Sequence, residues 1–427
     1  MPEIVPFKGI VYGPGVIRDA DRLICPPYDA IPKLVQQELY DLSPYNAVRM
    51  ELPAEADPYS AAADRLREWL ASGVLAQDKE PALYPCAQTF IDEQGVEHTR
   101  WGFFAALRLY DVSEQQVLPH ERTLSGPKAD RLSMFRKTGA NLSSIFGLYA
   151  DQSRRADSVI RGFAETNEPV VDAVFQGVRN LLWRITDPSL IGQIQSVLGE
   201  QKVYIADGHH RYETGVAYRN ERAAANTGHT GREPYNYILA YLSNIHDEGL
   251  LILPIHRLVR GLPDFDAEAF VSKLDHHFTV WELPGRKALS DFLAGCPSCI
   301  AYGIVLPGML LGITLDSKPE EVLSIPVPEV LQKLSVVVLH DLVLGQMLGI
   351  TPEATARESN LSYVKSEQDV FDAVESGAAQ MGIVLKPTRV EQVVAVAGSG
   401  EVMPQKSTWF YPKVMTGMVF RSLEGDA

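Results

Sequence analysis

The sequence has little cysteine. Its 427 residues include only four, at positions 25, 86, 296 and 299, and the last two form the stretch CPSC. This spacing occurs in redox and zinc sites, but neither a second such pair nor a nearby histidine accompanies it. The chain therefore supplies half of a tetrahedral zinc site at most. We expect two ordinary thiols at the end of a helix.

Long apolar runs are missing as well. No stretch reaches the roughly 18 apolar residues that a membrane-spanning helix needs. The first residues, MPEIVPFKGIVYGPGV, lack the basic segment followed by an apolar core that marks a secretory signal peptide. We expect a cytoplasmic protein without a membrane partner.

Positive charge is in deficit. The chain has 39 Lys and Arg against 54 Asp and Glu, which gives a net charge of −15 at pH 7, and it has no Lys/Arg-rich block. Because an acidic surface repels a phosphate backbone, we expect no nucleic-acid partner. A small phosphorylated ligand in a local basic pocket is compatible with this balance. The sequence does not indicate an oligomeric state.

Length and composition predict a globular protein of two or three domains, because 427 residues exceed one ordinary core and 46% of them are hydrophobic. Helix-like and strand-like stretches follow one another along the chain, without an internal repeat. We predict a mixed α+β fold in three regions. These are an N-terminal α+β region over residues 1–115, a core over 116–262 and a C-terminal α/β region over 263–427.

Several stretches give specific predictions of local structure. PALYPCAQTFI and TRWGFFAALRLY read as two strands around a turn. One helix is predicted over 328–348 and another after Asp264, a suitable N-cap. A further helix is predicted over 58–74, ending at Gly73, with one apolar face made of Ala62, Leu66, Trp69 and Leu70.

The stretch KVYIADGHHRYETG contains two of the chain's ten histidines beside an aspartate and an arginine. A run of strand formers ends at Asp207-Gly208 and passes directly into a helix-like segment. The first N–H groups of such a helix, together with its dipole, attract anions. Gly208 permits close approach of a phosphate, Arg211 suits a bidentate phosphate contact, and Asp207 suits Mg²⁺, held directly or through water. The alternative is an ordinary capped helix with solvated charges.

Two other stretches carry candidate functional groups. In Pro119-His120-Glu121, the glutamate would be a general base if a substrate hydroxyl lay within hydrogen-bond reach, although most glutamates simply face water. Lys406-Ser407-Thr408 suits a phosphate or a carboxylate, and equally suits a loop ahead of an edge strand. His256-Arg257 and His340-Asp341 are minor candidates, and the apolar neighbours of His340 favour a hydrogen-bonded core histidine.

Taken together, these stretches resemble a known superfamily. YIADGHHRYETG resembles the signature of the ParB/sulfiredoxin-like superfamily, most closely its free L-serine kinase branch, which has Asp-Gly-His-(His/Thr)-Arg after a strand. That branch also has Pro-His-Glu well upstream and Lys-Thr-Thr near the C-terminus, and the corresponding stretches of this chain come in the same order. With CPPYDAI and MPQKSTWFYPK, the whole chain also resembles a widespread prokaryotic family known as domain of unknown function 1015.

The resemblance implies a ParB/sulfiredoxin-like nucleotide- or phosphate-binding core and a small-molecule kinase. The implied acceptor is free L-serine, giving O-phosphoserine, the donor is ATP, ADP or pyrophosphate, and Mg²⁺ is the cofactor. Glu121 is the implied catalytic base, and Asp207 and Arg211 assist transfer. The remaining expected contacts are to the donor, from Gly208, His209, His210 and Arg211, and to the acceptor, from His120, Lys406, Ser407 and Thr408.

Single positions separate this chain from the other branches and from the kinase itself. Sulfiredoxins have a reactive cysteine where this chain has His209, and ParB proteins have Gly-Glu-Arg-Arg at the turn, usually with a basic DNA-binding domain. Trp409 and Phe410 stand where the kinase family has a basic residue and a histidine. This difference implies a less polar pocket and leaves an acceptor other than serine as an alternative. Two other functions stay open: a non-catalytic nucleotide-binding regulatory module and a metal-dependent phosphodiesterase.

Overall fold

The structure is a computed structural model that describes residues 1–121, 123 and 125–425, with the backbone alone at 125 and 127. It divides into two compact units. Unit 1 comprises Met1–Pro119, Thr123–Leu251 and the segment from Pro412 onward, and unit 2 comprises the short segment that starts at His120 together with Ile252–Tyr411. Helices and sheets occur in both units, which confirms the predicted mixed α+β class, whereas the ParB/sulfiredoxin-like assignment and the boundaries at 115 and 262 stay predictions.

A mixed sheet forms the centre of unit 1. Two neighbouring pairs run parallel, Val117–Leu118 with Val203–Asp207 and Ile145–Tyr149 with Tyr237–Asn244, and the other pairs run antiparallel. Over the described residues, the strands in spatial order are Val117–Leu118, Val203–Asp207, Ile145–Tyr149, Tyr237–Asn244, Glu97–Arg108, Tyr84–Ile91, Val178–Leu182 and Val171–Phe175, with Ile4–Val5 paired separately to Glu97–Arg108.

The strands of this sheet follow from their sequence. Tyr84–Ile91 and Glu97–Arg108 form the expected antiparallel hairpin, whose turn includes Gly95 at φ +80°. All eight residues of Tyr237–Asn244 are buried, because this strand has a partner on each edge and apolar side chains from helices against the sheet. Such a near-continuous apolar strand is typical of a sheet covered on both faces.

Unit 1 has a second, antiparallel sheet and a set of helices. Pro58–Ser72 begins at Asp57, whose side chain accepts from the N–H of Ser60, and ends at Gly73 in the left-handed conformation, as expected. The second sheet contains Leu75–Gln77, Gly9–Tyr12, Phe420–Ser422 and Ala140–Asn141. The α-helices are Lys33–Leu42, Val48–Glu51, Pro58–Ser72, Ser125–Thr138, Arg155–Thr166, Pro188–Gly199 and His209–Ala225, and the 3₁₀-helices are Ile17–Arg22, Tyr28–Ala30, Val112–Glu114 and Pro234–Asn236.

The buried face of the helix Pro58–Ser72 differs from its prediction at one position. Ala62, Leu66 and Trp69 are buried, but Leu70 is 37% exposed. A residue adjacent to Trp69 lies about 100° further around the helix, so it leaves the buried stripe.

Unit 2 is built on a sheet of its own. In spatial order its strands are Phe278–Glu282, Met309–Leu315, Ala301–Leu306, Met381–Leu385, His256–Val259 and Leu361–Val364, all antiparallel, and Leu251–Leu253 pairs with Trp409–Tyr411 elsewhere. The helices are Ala267–Leu274, Arg286–Ala294, Pro319–Val322, Glu329–Gln332, Ser335–Val338, the π-helix Leu339–Met347, Pro352–Ala356, Glu367–Glu375 and Val390–Ser399.

Three local predictions in unit 2 are corrected. The N-cap of Ala267–Leu274 is Asp266, which accepts from two backbone N–H groups, while Asp264 has φ +53°. The single helix expected over 328–348 is three shorter segments, interrupted where Leu334 is extended. Cys296 and Cys299 form a disulfide just beyond Arg286–Ala294 rather than remaining two thiols.

Across the described ranges, no helix is both long enough and apolar enough to span a membrane.

Candidate functional site

The Asp-Gly-His-His-Arg stretch forms the expected strand–turn–helix. Val203–Asp207 is followed by Gly208 at φ +87°, and the helix His209–Ala225 begins at the next residue. A Cβ atom at Gly208 would lie 3.0 Å from Arg211 Nε and 3.2 Å from Ile145 Cα. Both the backbone conformation and this close packing require glycine. The N-terminus of a 17-residue helix therefore lies directly at the end of a buried strand.

Asp207 lies between two cations. Its Oδ1 accepts from Lys413 Nζ at 2.9 Å, and its Oδ2 accepts from Arg211 Nη2 at 2.9 Å. Burial alone would raise the pKa of Asp207, but Lys413 and Arg211 outweigh burial and hold the pKa well below its ordinary value. The carboxylate is therefore ionised throughout the neutral range and fixes two positive groups at the turn.

The guanidinium of Arg211 is almost fully buried, at 3% exposure. It donates to the carbonyl oxygen of Ser144 and to Asp207, its Nη2 lies 3.9 Å from Asp29 Oδ2, and its Nε has no hydrogen-bond partner within the described structure. Burial opposes the charge, but Asp29 and Asp207 outweigh it and raise the pKa of Arg211. The cation is thus held in place by groups of the protein itself.

The N-terminal region contributes residues to this cluster. Asp29 and Tyr28 belong to the CPPYDAI stretch, and Arg131 stacks on the Tyr28 ring with its Cζ 4.0 Å from the ring centroid. Glu51 accepts from the N–H of Tyr28 at 3.2 Å. Burial raises the pKa of Tyr28 to about 12, so its phenol stays neutral. Residues far apart in sequence therefore surround one turn of unit 1.

The two histidines differ in exposure. His209 is 7% exposed, whereas His210 is half-buried. Burial lowers the pKa of His210, with Asp29 and Glu213 opposing that shift. Glu213 in turn accepts from Lys128 Nζ at 2.8 Å and from Thr123 Oγ1 at 2.7 Å. His210 thus lies among charges of both signs at the first turn of the helix.

The second group of predicted residues comes together in unit 2. His120 is fully buried and its Nε2 lies 3.0 Å from Thr408 Oγ1, although 288 positions separate the two residues. Glu121 forms a parallel bridge with Met403, whose N–H donates to the His120 carbonyl at 2.8 Å. The Glu121 side chain is 23% exposed, so its carboxylate is the accessible acid of this group.

Lys406 and Ser407 occupy a tight turn. Lys406 has φ +58°, and its carbonyl oxygen accepts from Arg257 Nη2 at 3.0 Å. The Ser407 hydroxyl donates to the Pro404 carbonyl at 2.6 Å, and its own carbonyl accepts from Thr388 Oγ1. These bonds give Ser407 a role in the turn, while its contact with an acceptor stays a prediction. The Lys406 side chain is exposed.

Arg257 is a buried cation that supports this turn. It is 1% exposed, forms no ion pair within the described residues, and donates to His340 Nε2 at 3.3 Å. Burial lowers the pKa of Arg257 to about 10, with Tyr363, Tyr302 and Glu121 opposing the shift. Burial, followed by the charge of Arg257, lowers the pKa of His340 to about 3. Because an arginine only donates, the proton of neutral His340 lies on Nδ1.

Trp409 and Phe410 directly follow Thr408 in the chain. The Phe410 ring is buried with its centroid 6.2 Å from that of His120, and Lys365 Nζ lies 3.4 Å from the Trp409 ring centroid. Lys365, which directly follows the strand Leu361–Val364, thus brings a cation onto the face of the Trp409 ring.

The structure brings the predicted residues together as two groups, one in each unit. Lys413 and Asp29 are not among the residues predicted from the sequence, and Arg257 is only a minor candidate there. Lys413 and Asp29 lie in stretches that the family resemblance already marked, MPQKSTWFYPKV and CPPYDAI. No local sequence pattern indicates that either residue contacts a turn about two hundred positions away.

The described residues do not fit a resident Mg²⁺ site. Among them, no group of three or more His, Cys, Asp or Glu side chains is placed to hold a metal ion. Both oxygens of Asp207 already accept from cations at 2.9 Å, and those two positive charges would repel a metal cation. Direct metal ligation by Asp207 therefore stays a prediction that this geometry disfavours.

Comparisons with known proteins give one family and several distant structures. A family model described as "Protein of unknown function (DUF1015)" matches residues 4–344. No curated protein matches the chain. A conserved hypothetical protein from Pyrococcus furiosus is 16% identical, over 73% of this chain and 92% of that one, with a TM-score of 0.35. A free serine kinase in complex with AMP is 14% identical, over 72% and 86%, with a TM-score of 0.36.

A third structure, SbnI from Staphylococcus aureus with a C-terminal truncation, is 11% identical, over 73% of this chain and 85% of that one, with a TM-score of 0.35. Superpositions of this quality do not establish a common fold or a common activity.

Proposed function

The chain belongs to the DUF1015 family of proteins of unknown function, and we propose that it is a small-molecule kinase that transfers a phosphoryl group to a hydroxyl. The observation that carries the proposal is the turn of unit 1. There, a glycine at φ +87° joins a buried strand to a 17-residue helix, and one carboxylate fixes two cations, Lys413 and Arg211, at 2.9 Å.

The turn supplies what a phosphate needs from a protein. Phosphoryl transfer depends mainly on positioning and on stabilising negative charge, so rigid cations and helix N–H groups suffice in kind. The first N–H groups of the helix His209–Ala225 are the proposed hydrogen-bond donors to a phosphate, and the helix dipole adds a partial positive charge. In this proposal Asp207 orients Lys413 and Arg211, and His209 and His210 line the donor site.

The group in unit 2 supplies what an acceptor hydroxyl needs. Glu121 is the accessible carboxylate, and its neighbour His120 is fixed through Thr408. The main-chain bond from Met403 to His120 holds the Glu121 backbone in register. Lys406 is exposed and its backbone carbonyl accepts from Arg257, and in this proposal its ammonium binds an anionic group of the acceptor.

The reaction is a simple displacement. The acceptor oxygen forms a bond to the terminal phosphorus of the donor while the bond from that phosphorus to its bridging oxygen breaks. The hydroxyl proton passes to the Glu121 carboxylate. The leaving group departs as ADP from ATP, as AMP from ADP, or as phosphate from pyrophosphate. No step is assigned to Mg²⁺, because no described group of side chains fits it.

Free L-serine is the first acceptor to test, because the Pro-His-Glu, Asp-Gly-His-His-Arg and Lys-Ser-Thr stretches follow the order of the free L-serine kinase motifs. ATP, ADP and pyrophosphate are each compatible with a phosphate-binding turn. The experiment incubates the protein with Mg²⁺, L-serine and each donor separately, and follows new phosphomonoesters by ³¹P NMR. We expect O-phosphoserine with at least one donor. If none forms, other hydroxylated metabolites replace L-serine in the same incubations, and one of them should give its phosphomonoester.

The Glu121→Gln variant tests the base. Gln keeps the size and removes the proton acceptor, so we expect turnover to fall by about 10²–10⁴-fold while donor affinity is retained. Glu38→Gln, a change at an exposed glutamate in the helix Lys33–Leu42, is the matched control and should be neutral. Equal turnover in Glu121→Gln would refute the role of Glu121. Donor binding without transfer to any hydroxylated metabolite would instead support the non-catalytic nucleotide-binding module.

A further inference from the structure

A cavity of about 690 Å³ lies within unit 2. The π-helix Leu339–Met347 contributes His340, Asp341 and Gly345 to its wall. Lys406, in the turn described above, also lines the cavity. A volume of this size is typical of pockets for whole metabolites and greatly exceeds the side chain of serine. π-Helical turns are rare and often occur at functional sites.

The lining is mainly apolar. Val337 and Ile350 are buried in the wall, and Ile325, which is 62% exposed, stands at its edge together with Leu323 and Val327. An exposed isoleucine beside a concave apolar surface leaves area that a ligand with an apolar body would cover.

The charged groups of the cavity favour an anion at one end. Lys406 lines it and forms no ion pair within the described part of the chain. Asp341 also lines it, but this carboxylate is already occupied, since it accepts from the Ser324 N–H at 2.7 Å and from Gln346 Nε2 at 2.9 Å. Glu358 is the second lining carboxylate, and it suits an ammonium group if the ligand has one.

Arg257 adds a second positive charge behind this wall. It contacts two lining residues, His340 at 3.3 Å and the Tyr363 ring, whose centroid lies 5.3 Å from its Cζ, and it fixes the carbonyl of Lys406. The buried Nε of Arg257 has no partner in the described structure. The Lys406 end of the cavity therefore has two cations, one of them buried.

We propose that this cavity is the acceptor site, and that the acceptor is a hydroxylated carboxylate with an apolar body larger than that of serine. The inference rests on the proposed kinase and narrows its substrate class. The carboxylate pairs with Lys406, and the apolar body lies against Val337, Ile350 and Ile325.

Binding without a phosphoryl donor tests the inference separately from the kinase activity. Three probes are titrated by calorimetry: 3-(4-hydroxyphenyl)propionate has a hydroxyl, an apolar ring and a carboxylate, tyramine has an ammonium group in place of the carboxylate, and L-serine lacks the ring. We expect the propionate to bind at least about tenfold more tightly than either of the others, because it alone satisfies both the apolar wall and Lys406.

Two variants assign that preference to the cavity. Lys406→Met should weaken the propionate about tenfold and leave tyramine unchanged, while Lys333→Met, at an exposed lysine outside the cavity, should change neither affinity. Ala356→Trp, at an exposed lining position, should weaken the propionate by filling the cavity.

The outcomes separate the inference from the kinase proposal. L-serine binding as tightly as the propionate, no measurable propionate binding, or equal effects of Lys406→Met on both ring compounds would overturn the acceptor class. Propionate binding that responds to Lys406, without phosphorylation of any acceptor, would retain the cavity as an acid-binding site and count against the kinase alone.

Discussion

Replacing Lys413 by Met removes one of the two cations that hold Asp207. At 2.9 Å, the direct attraction between Lys413 Nζ and Asp207 Oδ1 is about 6 kcal/mol at an effective dielectric constant of 20. Most of it is offset by the cost of taking both groups out of water, since their side chains are only 13% and 22% exposed. A charged hydrogen bond retains about 1.5–3 kcal/mol net, so we expect Lys413→Met to lower the free energy of unfolding by about 2 kcal/mol.

The stability lost in Lys413→Met should depend on pH, and the pKa of Asp207 sets the direction of that dependence. A carboxylate whose pKa is depressed by folding stabilises the fold above its unfolded pKa of about 4, and that contribution is lost as the pH falls through the depressed value. Lys413→Met lets the pKa of Asp207 rise, so the variant loses stability at neutral pH. The gap between the two proteins should narrow as the pH is lowered below about 4.

Urea unfolding at pH 7 and at pH 3.5 measures both effects, with tryptophan fluorescence and circular dichroism as probes. Asp207→Asn completes a double-mutant cycle, in which we expect the effect of Lys413→Met to be much smaller without the carboxylate. Arg67→Met, at an exposed ion pair with Asp64 in unit 1, is the control and should have little effect. A pH-independent loss, or the same loss in the Asp207→Asn background, would refute the assigned pairing.

Two further predictions concern the turn and the acceptor group. Gly208→Ala forces a side chain into φ +87° and against Arg211, so it should cost about 1–2 kcal/mol of stability. It should also weaken donor binding, measured by a fluorescence titration. The control Gly162→Ala, in an open helical position, should not destabilise the protein. Thr408→Val removes the hydroxyl partner of His120 and should lower kcat through misplacement of Glu121, while Thr408→Ser should restore it; equal kcat in both variants would count against this coupling.

Local sequence patterns predicted the parts of the molecule that local physics decides. The strand ending at Asp207, the glycine and the following helix could be predicted because neighbouring residues set their conformations. The helix over 328–348 could not be predicted correctly, because its apolar residues fit a helical period while Leu334 is extended and Leu339–Met347 adopts a π-helix. A run of three valines, which have low helix propensity, directly precedes the π-helix.

Contacts between residues that are far apart in the sequence could not be predicted from local patterns. Lys413 and Asp207 are 206 positions apart, and Asp29 reaches Arg211 from the other end of the chain. A charged residue in an irregular stretch has no period or cap that indicates its partner, so composition alone could not assign it. The order of the three motifs indicated that His120 and Thr408 belong to one site. Their direct contact could not be predicted from the sequence and is visible only in the folded structure.

In the proposed kinase, the positions that differ in polarity from the motifs it resembles, Trp409 and Phe410, belong to the acceptor side. At the turn, aspartate, glycine, histidine and arginine occupy the motif positions, and Lys413 adds a cation beside them. In unit 2, aromatic residues replace polar ones after Thr408, and a mainly apolar cavity contains Lys406. Because phosphate binding depends on charge and acceptor choice on shape and polarity, we expect the same phosphoryl chemistry directed at a less polar acceptor.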